Sequence, residues 1–398
     1  MKIENGVLYE VKDADIRKDG SFQVPEGVTE IGRCAFKECK NLESIELPES
    51  MKKIGTQAFI RCENLKNIRL PEGVTEIKEG AFFGCERLES MKVPDGVARI
   101  GYKAFEGCKN LKSIEMPLAL TEIEFETFRN CERLESMKVP DGVTKIGHEA
   151  FEGCKSLKSI ELPFGLTEME FETFRNCERL ETIQVPEGVT KIRQDTFHGC
   201  ESLKNIQLPE GVTEIGRGAF YGCESLESMK VPDGVTKIEA STFHACVNLK
   251  NIQLPEGMTE IGESAFFYCE SLEDVKVPEG VTRIGHEAFE NCKSLKSIAL
   301  PNGLTEIEFE AFRNCESLET IQLPKSLEEL GDGVFDGCDN LIEVISGDKV
   351  YPVKNEKWIG ELFKKETERG SLDERIMAAK EKLDGSLKAE GKMVEKER

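Results

Sequence analysis

Fourteen of the chain's fifteen cysteines recur every 23 residues without a slip: Cys39, Cys62, Cys85, Cys108, Cys131, Cys154, Cys177, Cys200, Cys223, Cys246, Cys269, Cys292, Cys315 and Cys338. Only Cys34 stands outside the series. A Phe lies three positions before each of the fourteen, and a Leu three positions after each. At such a period one unit cannot bury its apolar side alone and must do so against its neighbours. The length of 398 residues would otherwise suggest two or three independent domains. The repeat replaces that expectation with one stack of fourteen units over residues 25–346, preceded by a cap of short strands over 1–24 and followed by a charged tail over 347–398.

Each unit divides at its Pro. In the stretch from Leu157 through Ile160 to Leu162, apolar and polar positions alternate and stop at Pro163, which predicts a short strand with one buried face. Stacked units then form a parallel sheet. The Pro-x-Gly that follows, present in eleven of fourteen units with Ser50, Ala119 and Ser326 as exceptions, predicts a tight turn in which Pro presets φ and Gly supplies positive φ. Val143 and Ile146 mark a second extended limb. The Ala/Thr-Phe-x-x-Cys-x-x-Leu run, with apolar residues at i, i+3 and i+6, predicts one turn or so of α or 3₁₀ helix pointing inward.

The combined pattern L-x-x-I-x-L-P-x-G-V-T-x-I-G-x-x-A-F-x-x-C resembles the BspA-type leucine-rich repeats, and Asn5-Gly6-Val7-Leu8-Tyr9 looks like the cap segment that accompanies them. The resemblance covers residues 25–346. It implies a leucine-rich-repeat solenoid: a curved right-handed stack with its parallel β-sheet on the concave side and short helical turns elsewhere. It also implies proteins of bacterial or protist surfaces that bind host proteins. Two departures stand out: no signal peptide or anchoring segment is read here, and no Asn occupies the ladder position of general leucine-rich repeats, so another group must satisfy the backbone at that turn.

Equivalent residues of stacked parallel strands lie ~4.8 Å apart, which permits a disulfide by distance alone. Ladder side chains point the same way, however, and fourteen equivalent sites offer no rule for pairing. Buried free thiols acting as small apolar side chains are the expectation, and they suit a reducing compartment. No Cys-x-x-Cys occurs, and His148, His198, His244 and His286 never sit beside a cysteine pair, so no metal ligands are read. Nucleophile-elbow, zinc-protease, P-loop and dinucleotide motifs are absent, and the carboxylates recur periodically instead of forming one distinctive pair. No catalytic residue or cofactor is therefore expected.

With 53 Lys+Arg against 75 Asp+Glu, the net charge is -22. Such a chain repels nucleic acid and anionic lipid, so a protein partner of basic or neutral surface is expected, with no membrane insertion and a monomeric state. Residues 347–398 carry 13 basic and 12 acidic groups, so residues 1–346 hold a net of -23. The residue after each register Leu alternates in sign from Glu43 and Lys66 through Lys296 and Glu319, which predicts a ladder of exposed ion pairs. The eighth residue after Pro is polar in most units but reads Tyr102, Phe125, His148 and Phe171 in four successive ones. These four are the candidate partner-binding residues, as an exposed aromatic patch or as rings folded over a neighbouring core.

In the tail, helices are predicted over about 356–369 and 372–384, the first capping the last unit, with disorder after about 385. The functional expectation is a non-enzymatic protein-interaction module, adhesin-like or a scaffold. The competing readings are an intracellular scaffold or effector with a helical C-terminal interaction segment, and an enzyme. The compartment is cytoplasmic by the residues and surface or exported by resemblance.

Overall fold

A computed structural model of the chain describes residues 1–346 and 349–352. It forms two compact units, the first over Met1–Ser225 and the second beginning at Leu226. Each is a parallel β-solenoid in which one 23-residue repeat makes one coil. The sequence-predicted strand appears as three-residue pieces such as Ser136–Lys138, Ser159–Glu161 and Thr182–Gln184. Pairing runs at the repeat offset, Ser136 to Ser159 to Thr182. The second limb makes two-residue strands such as Glu122–Ile123, Lys145–Ile146 and Glu168–Met169, also parallel and in register.

Both ends of the pairing close with an antiparallel strand. In the first unit Lys2–Glu4 pairs antiparallel with Val7–Glu10, which opens the parallel ladder that continues through Glu30–Ile31 and Lys53–Ile54. In the second unit Lys349–Pro352 pairs antiparallel with Glu343–Ser346. Sheet edges left open invite pairing with other chains, so the reversed strands protect the ends. The expected tail helices and the disorder after about 385 lie outside the described residues, and the part of 347–398 that is described, Lys349–Pro352, is a strand.

Every coil buries the same set. In the coil that starts at Pro140, Val143, Ile146, Ala150, Phe151, Cys154 and Leu157 are fully buried, and Ile160 nearly so. The Phe rings stack face to face along each unit, with Phe82, Phe105 and Phe128 at centroid distances of 5.4 and 5.5 Å and nearly parallel planes. Phe243, Phe266 and Phe289 repeat this in the second unit at 5.4 and 5.1 Å.

The expected helical turn is not formed. The one helix among the described residues is a 3₁₀ turn at Asp13–Asp15. Around each Phe, amides alternate between two acceptors: Cys62 donates to the Phe59 carbonyl three residues back, whereas Phe59 and Arg61 donate to Ala81 and Phe83 of the next coil. Two left-handed residues per coil, five and one positions before the Cys, produce this alternation. Gln57 and Arg61 have φ of 55° and 54°, and Glu126 and Asn130 have 53° and 56°. A helix needs every residue right-handed, so apolar spacing alone misleads here. Cys34, with φ of 56°, occupies the first of these positions and thereby joins the periodic scheme.

The turn glycine also works differently from expectation. Among the Pro-x-Gly glycines only Gly27 has positive φ. The role of Gly at several others is close approach: a Cβ on Gly188 or Gly280 would lie 2.8 or 2.6 Å from the carbonyl of Leu166 or Met258 in the preceding coil.

All fifteen cysteines are free, as expected. They are more than apolar filler, because the thiol of Cys131 donates to the Phe105 carbonyl at 3.3 Å, Cys154 to Phe128 at 3.2 Å and Cys292 to Phe266 at 3.2 Å. That carbonyl also accepts the amide of its own coil's Cys, as Phe105 does from Cys108. The thiol thus supplies the backbone partner that the absent Asn left open. Burial drives these thiols far above their ordinary pKa, with Cys39 at the start of the column pushed up to about 12 and its coulombic neighbours Asp13 and Asp15 adding to the shift.

Candidate functional site

The sequence-predicted aromatic residues fall in the coils that begin at Pro94, Pro117, Pro140 and Pro163, all in the first unit, and the same position of the second unit carries one further stacked pair, His286 on Phe309 at 5.1 Å. The structure brings the four sequence-predicted aromatic residues into one column immediately after the two-residue strands. Tyr102 stacks on Phe125 at 4.4 Å and 14°, and Phe125 on His148 at 5.8 Å and 13°. Phe171 instead lies under the Arg193 guanidinium, 5.7 Å from its ring centroid. Tyr102 and Phe125 are half-buried, whereas His148 and Phe171 are exposed, Phe171 at 46%. None of the four enters the fully buried core.

Carboxylates fix the start of this ledge. Glu124 accepts the Arg99 guanidinium at 2.7 Å and the Tyr102 amide at 3.0 Å. A hydrogen bond to Glu79 raises the Tyr102 hydroxyl above its ordinary pKa. Beyond it, Phe125, His148, Phe171, Lys145 and Glu170 border an open cleft of about 420 Å³.

A half-buried charge network runs along the left-handed turns next to the ledge. Lys103 bridges Glu106 at 3.2 Å and Glu126 at 2.6 Å. Arg129 reaches Glu126, Glu149 and Glu152 at 3.0, 2.8 and 2.7 Å. Arg175 pairs with Glu172 at 2.7 Å, and His148 Nδ1 stands 3.2 Å from Glu149. Burial pushes Glu126 up, but hydrogen bonds from Lys103 and Arg129 outweigh it and leave the carboxyl below its ordinary range. Glu152 goes the other way. Burial first, then a hydrogen bond with Glu149, raise it to about 7 against the pull of Arg129.

Glu149, Glu152 and Glu172 bring their carboxylate oxygens within 4.8 Å of one another, as His286, Glu287 and Glu310 do with their ligand atoms in the second unit; among the described residues these are the groups that could hold a cation. Reasoning from Cys and His spacing does not find them, because their members come from consecutive coils. Two exposed apolar residues are likewise missed: Leu118 at 73% and Phe164 at 93% exposure. The signal for both was present in the text, since they interrupt a column of Glu and Asp at the position after Pro.

The predicted charge ladder closes at Glu43 and Lys66, 2.7 Å apart, and at Glu273 and Lys296, 3.7 Å apart. A second alternating ladder lies on the two-residue strands, with Lys145 to Glu168 at 3.3 Å and Lys191 to Glu214 at 2.7 Å. These pairs are exposed, so each adds only about 0–1 kcal/mol.

Six copies of the family described as BspA type Leucine rich repeat region match the chain, over residues 18–135, 121–250 and 236–358. A leucine-rich repeat protein from Bacteroides ovatus ATCC 8483 is 30% identical, with 82% of this chain and 86% of that one covered and a TM-score of 0.63. A leucine rich cell surface protein from Faecalibacterium prausnitzii A2-165 is 27% identical over 83% of this chain and 79% of its own, with a TM-score of 0.44. No curated protein matches the sequence. Among the described residues no helix is long and apolar enough to cross a membrane.

Proposed function

The chain belongs to the BspA-type leucine-rich repeat family, and on that premise we propose that it is a non-catalytic protein-binding module whose contact surface is the ledge of Tyr102, Phe125, His148 and Phe171. The observation that carries this reading is the coincidence of broken periodicity with exposure. Four coils in succession replace a polar position by a ring, and the last two rings stand in solvent beside a cleft. Exposed aromatic residues are the usual anchors of protein interfaces.

A basic or neutral partner surface fits the net charge of -22. Family kinship favours a surface or exported setting with an adhesin-like role. The column of free thiols favours the competing setting, a scaffold in a reducing compartment. Fractionation of producing cells separates the two.

The binding test is affinity capture with the purified chain, repeated with a Phe125→Ser, Phe171→Ser double variant. The reading expects a partner retained by the parent chain and lost from the variant, with a melting temperature within about 2–4 °C of the parent's, because neither ring is in the core. Unchanged capture overturns it. So does a melting temperature drop large enough to show that the rings hold the fold.

A further inference from the structure

One local arrangement occurs twice in the chain, 138 residues apart. The run Ile146-Gly147-His148-Glu149-Ala150-Phe151-Glu152 of the first unit returns in the second as Ile284-Gly285-His286-Glu287-Ala288-Phe289-Glu290, and Glu172 with Arg175 returns as Glu310 with Arg313. Glu287 and Glu310 hold the same left-handed position of consecutive coils, with φ of 54° and 55°. Their carboxylate oxygens and a ring nitrogen of His286 all lie within 4.8 Å of one another. Glu290 takes the place of Glu152, whose carboxylate in the first unit closes to within 4.8 Å of Glu149 and Glu172. The repeated backbone therefore directs Glu290 toward Glu287 and Glu310.

The two copies differ in what neutralises them. In the first unit the Arg129 guanidinium reaches Glu149 and Glu152 at 2.8 and 2.7 Å, and Arg175 holds Glu172 at 2.7 Å. Two cations serve three carboxylates there. In the second unit Phe267 stands in the place of Arg129. Arg313 holds Glu310 at 2.8 Å, but among the described residues no Lys or Arg bridges Glu287, whose oxygens meet the Ser264 hydroxyl at 3.2 Å and His286 at 3.6 Å.

Glu290 is the more telling member. Its side chain is only 9% exposed, it accepts a hydrogen bond from Asn291 at 3.2 Å, and the Arg313 guanidinium stands 4.0 Å away. A carboxylate taken this far out of water is ordinarily paired closely with a cation or bound to a metal. We propose that His286, Glu287, Glu290 and Glu310 form a binding site for one divalent transition-metal ion, and that Arg129 takes the place of that ion in the first unit. An imidazole nitrogen among carboxylates suits Zn²⁺ or Co²⁺ better than Ca²⁺ or Mg²⁺, which prefer oxygen ligands alone. The ion supplies the positive charge that Phe267 cannot, and it ties the coil that begins at Pro278 to the one that begins at Pro301.

The test uses the full chain after dialysis against a chelator. Zn²⁺ followed by calorimetry is expected to bind at one site, at least tenfold more tightly than Ca²⁺, and to raise the melting temperature, because an ion that binds the folded chain alone stabilises it. His286→Ala and Glu290→Gln should each weaken Zn²⁺ binding at least tenfold. Phe267→Arg, which gives the second unit the cation of the first, should do the same. Glu152→Gln, at the matching place of the first unit, should leave it unchanged, as should Cys34→Ser, which removes the one thiol outside the buried column. With only four His in the chain, histidine-selective NMR in the presence of one equivalent of Co²⁺ should move the His286 ring and spare His148. His286 is half-buried and outside the core, so its variant carries the test even where Glu290→Gln disturbs folding.

Absence of saturable Zn²⁺ binding overturns the proposal, as does equal affinity for Ca²⁺, which would reduce the site to a general acidic surface. Undiminished Zn²⁺ binding by His286→Ala overturns it as well. So does a Co²⁺ effect that reaches another histidine first.

Discussion

Residues 101–131 and 147–177 are two nearly identical stretches of text that differ in one decisive place: Lys103 in the first stands where Glu149 stands in the second. In the first stretch the ammonium sits between Glu106 and Glu126 and offsets both. Glu106 is still raised, chiefly by burial, but only modestly, and Glu126 falls below its ordinary range. In the second stretch the equivalent place adds a carboxylate beside Glu152 and Glu172, and Glu152 rises to about 7. The preceding coils differ as well, since Arg129 stands before Glu152 where Phe83 stands before Glu106, and the place of Lys103 and Glu149 is where the two stretches themselves change charge. In a periodic protein the backbone repeats while the electrostatics need not.

The largest effect on this comparison comes from the core, where the two stretches should behave alike. Phe105→Ala and Phe151→Ala each delete a fully buried ring and should each cost about 3–5 kcal/mol in denaturant unfolding. A large inequality between them would show that the charge difference reaches the core.

The next effect should separate the stretches. A carboxyl whose pKa is higher in the folded than in the unfolded chain is protonated first in the folded state, so its contribution is present at low pH and lost as pH rises. For Glu152 that loss runs from about 4.5 to about 7. Glu152→Gln should therefore match the parent near pH 4.5 and exceed it above pH 7 by on the order of 2 kcal/mol. Glu106→Gln should show the same sign with a smaller gain. Parallel stability curves for Glu152→Gln and the parent would refute the assignment.

The smallest change sharpens the comparison directly. Glu149→Lys gives the second stretch the charge order of the first, and the Glu152 carboxyl, followed by carbon-detected NMR titration, should fall by about one unit or more. An unmoved titration would mean that burial alone, without Glu149, sets the shift.

Much of the coil was legible before any coordinates. The 23-residue register of Phe, Cys and Leu identified the buried set, and the alternation ending at Leu162 located the strand that pairs Ser159 with Ser136. The Phe-x-x-Cys-x-x-Leu spacing also fitted a helical turn, because apolar periodicity reports which side chains face inward and not the sign of φ. The left-handed residues there include Gln57, Arg61, Glu126 and Glu149 as well as glycines, so residue type gave no warning. The candidate site was partly legible in the same way. The ledge could be read from one column, but the network of Lys103, Arg129 and Glu152 joins residues of adjacent coils whose contacts depend on how those coils stack.

By itself, then, the sequence determined the period, the residues that each coil buries, the free state of the thiols and the uneven run of rings at Tyr102, Phe125, His148 and Phe171. Each of these is a matter of residue identity in a repeating register. Tertiary structure decided what the register does not encode: that the Phe carbonyl is satisfied by the next coil's thiol, that the inward turn alternates handedness instead of forming a helix, and that Glu152 holds its proton near neutrality while Glu126 does not. Those outcomes depend on groups 20 to 26 residues apart coming within a few ångströms, where burial and neighbouring charge outweigh the preferences of any single residue.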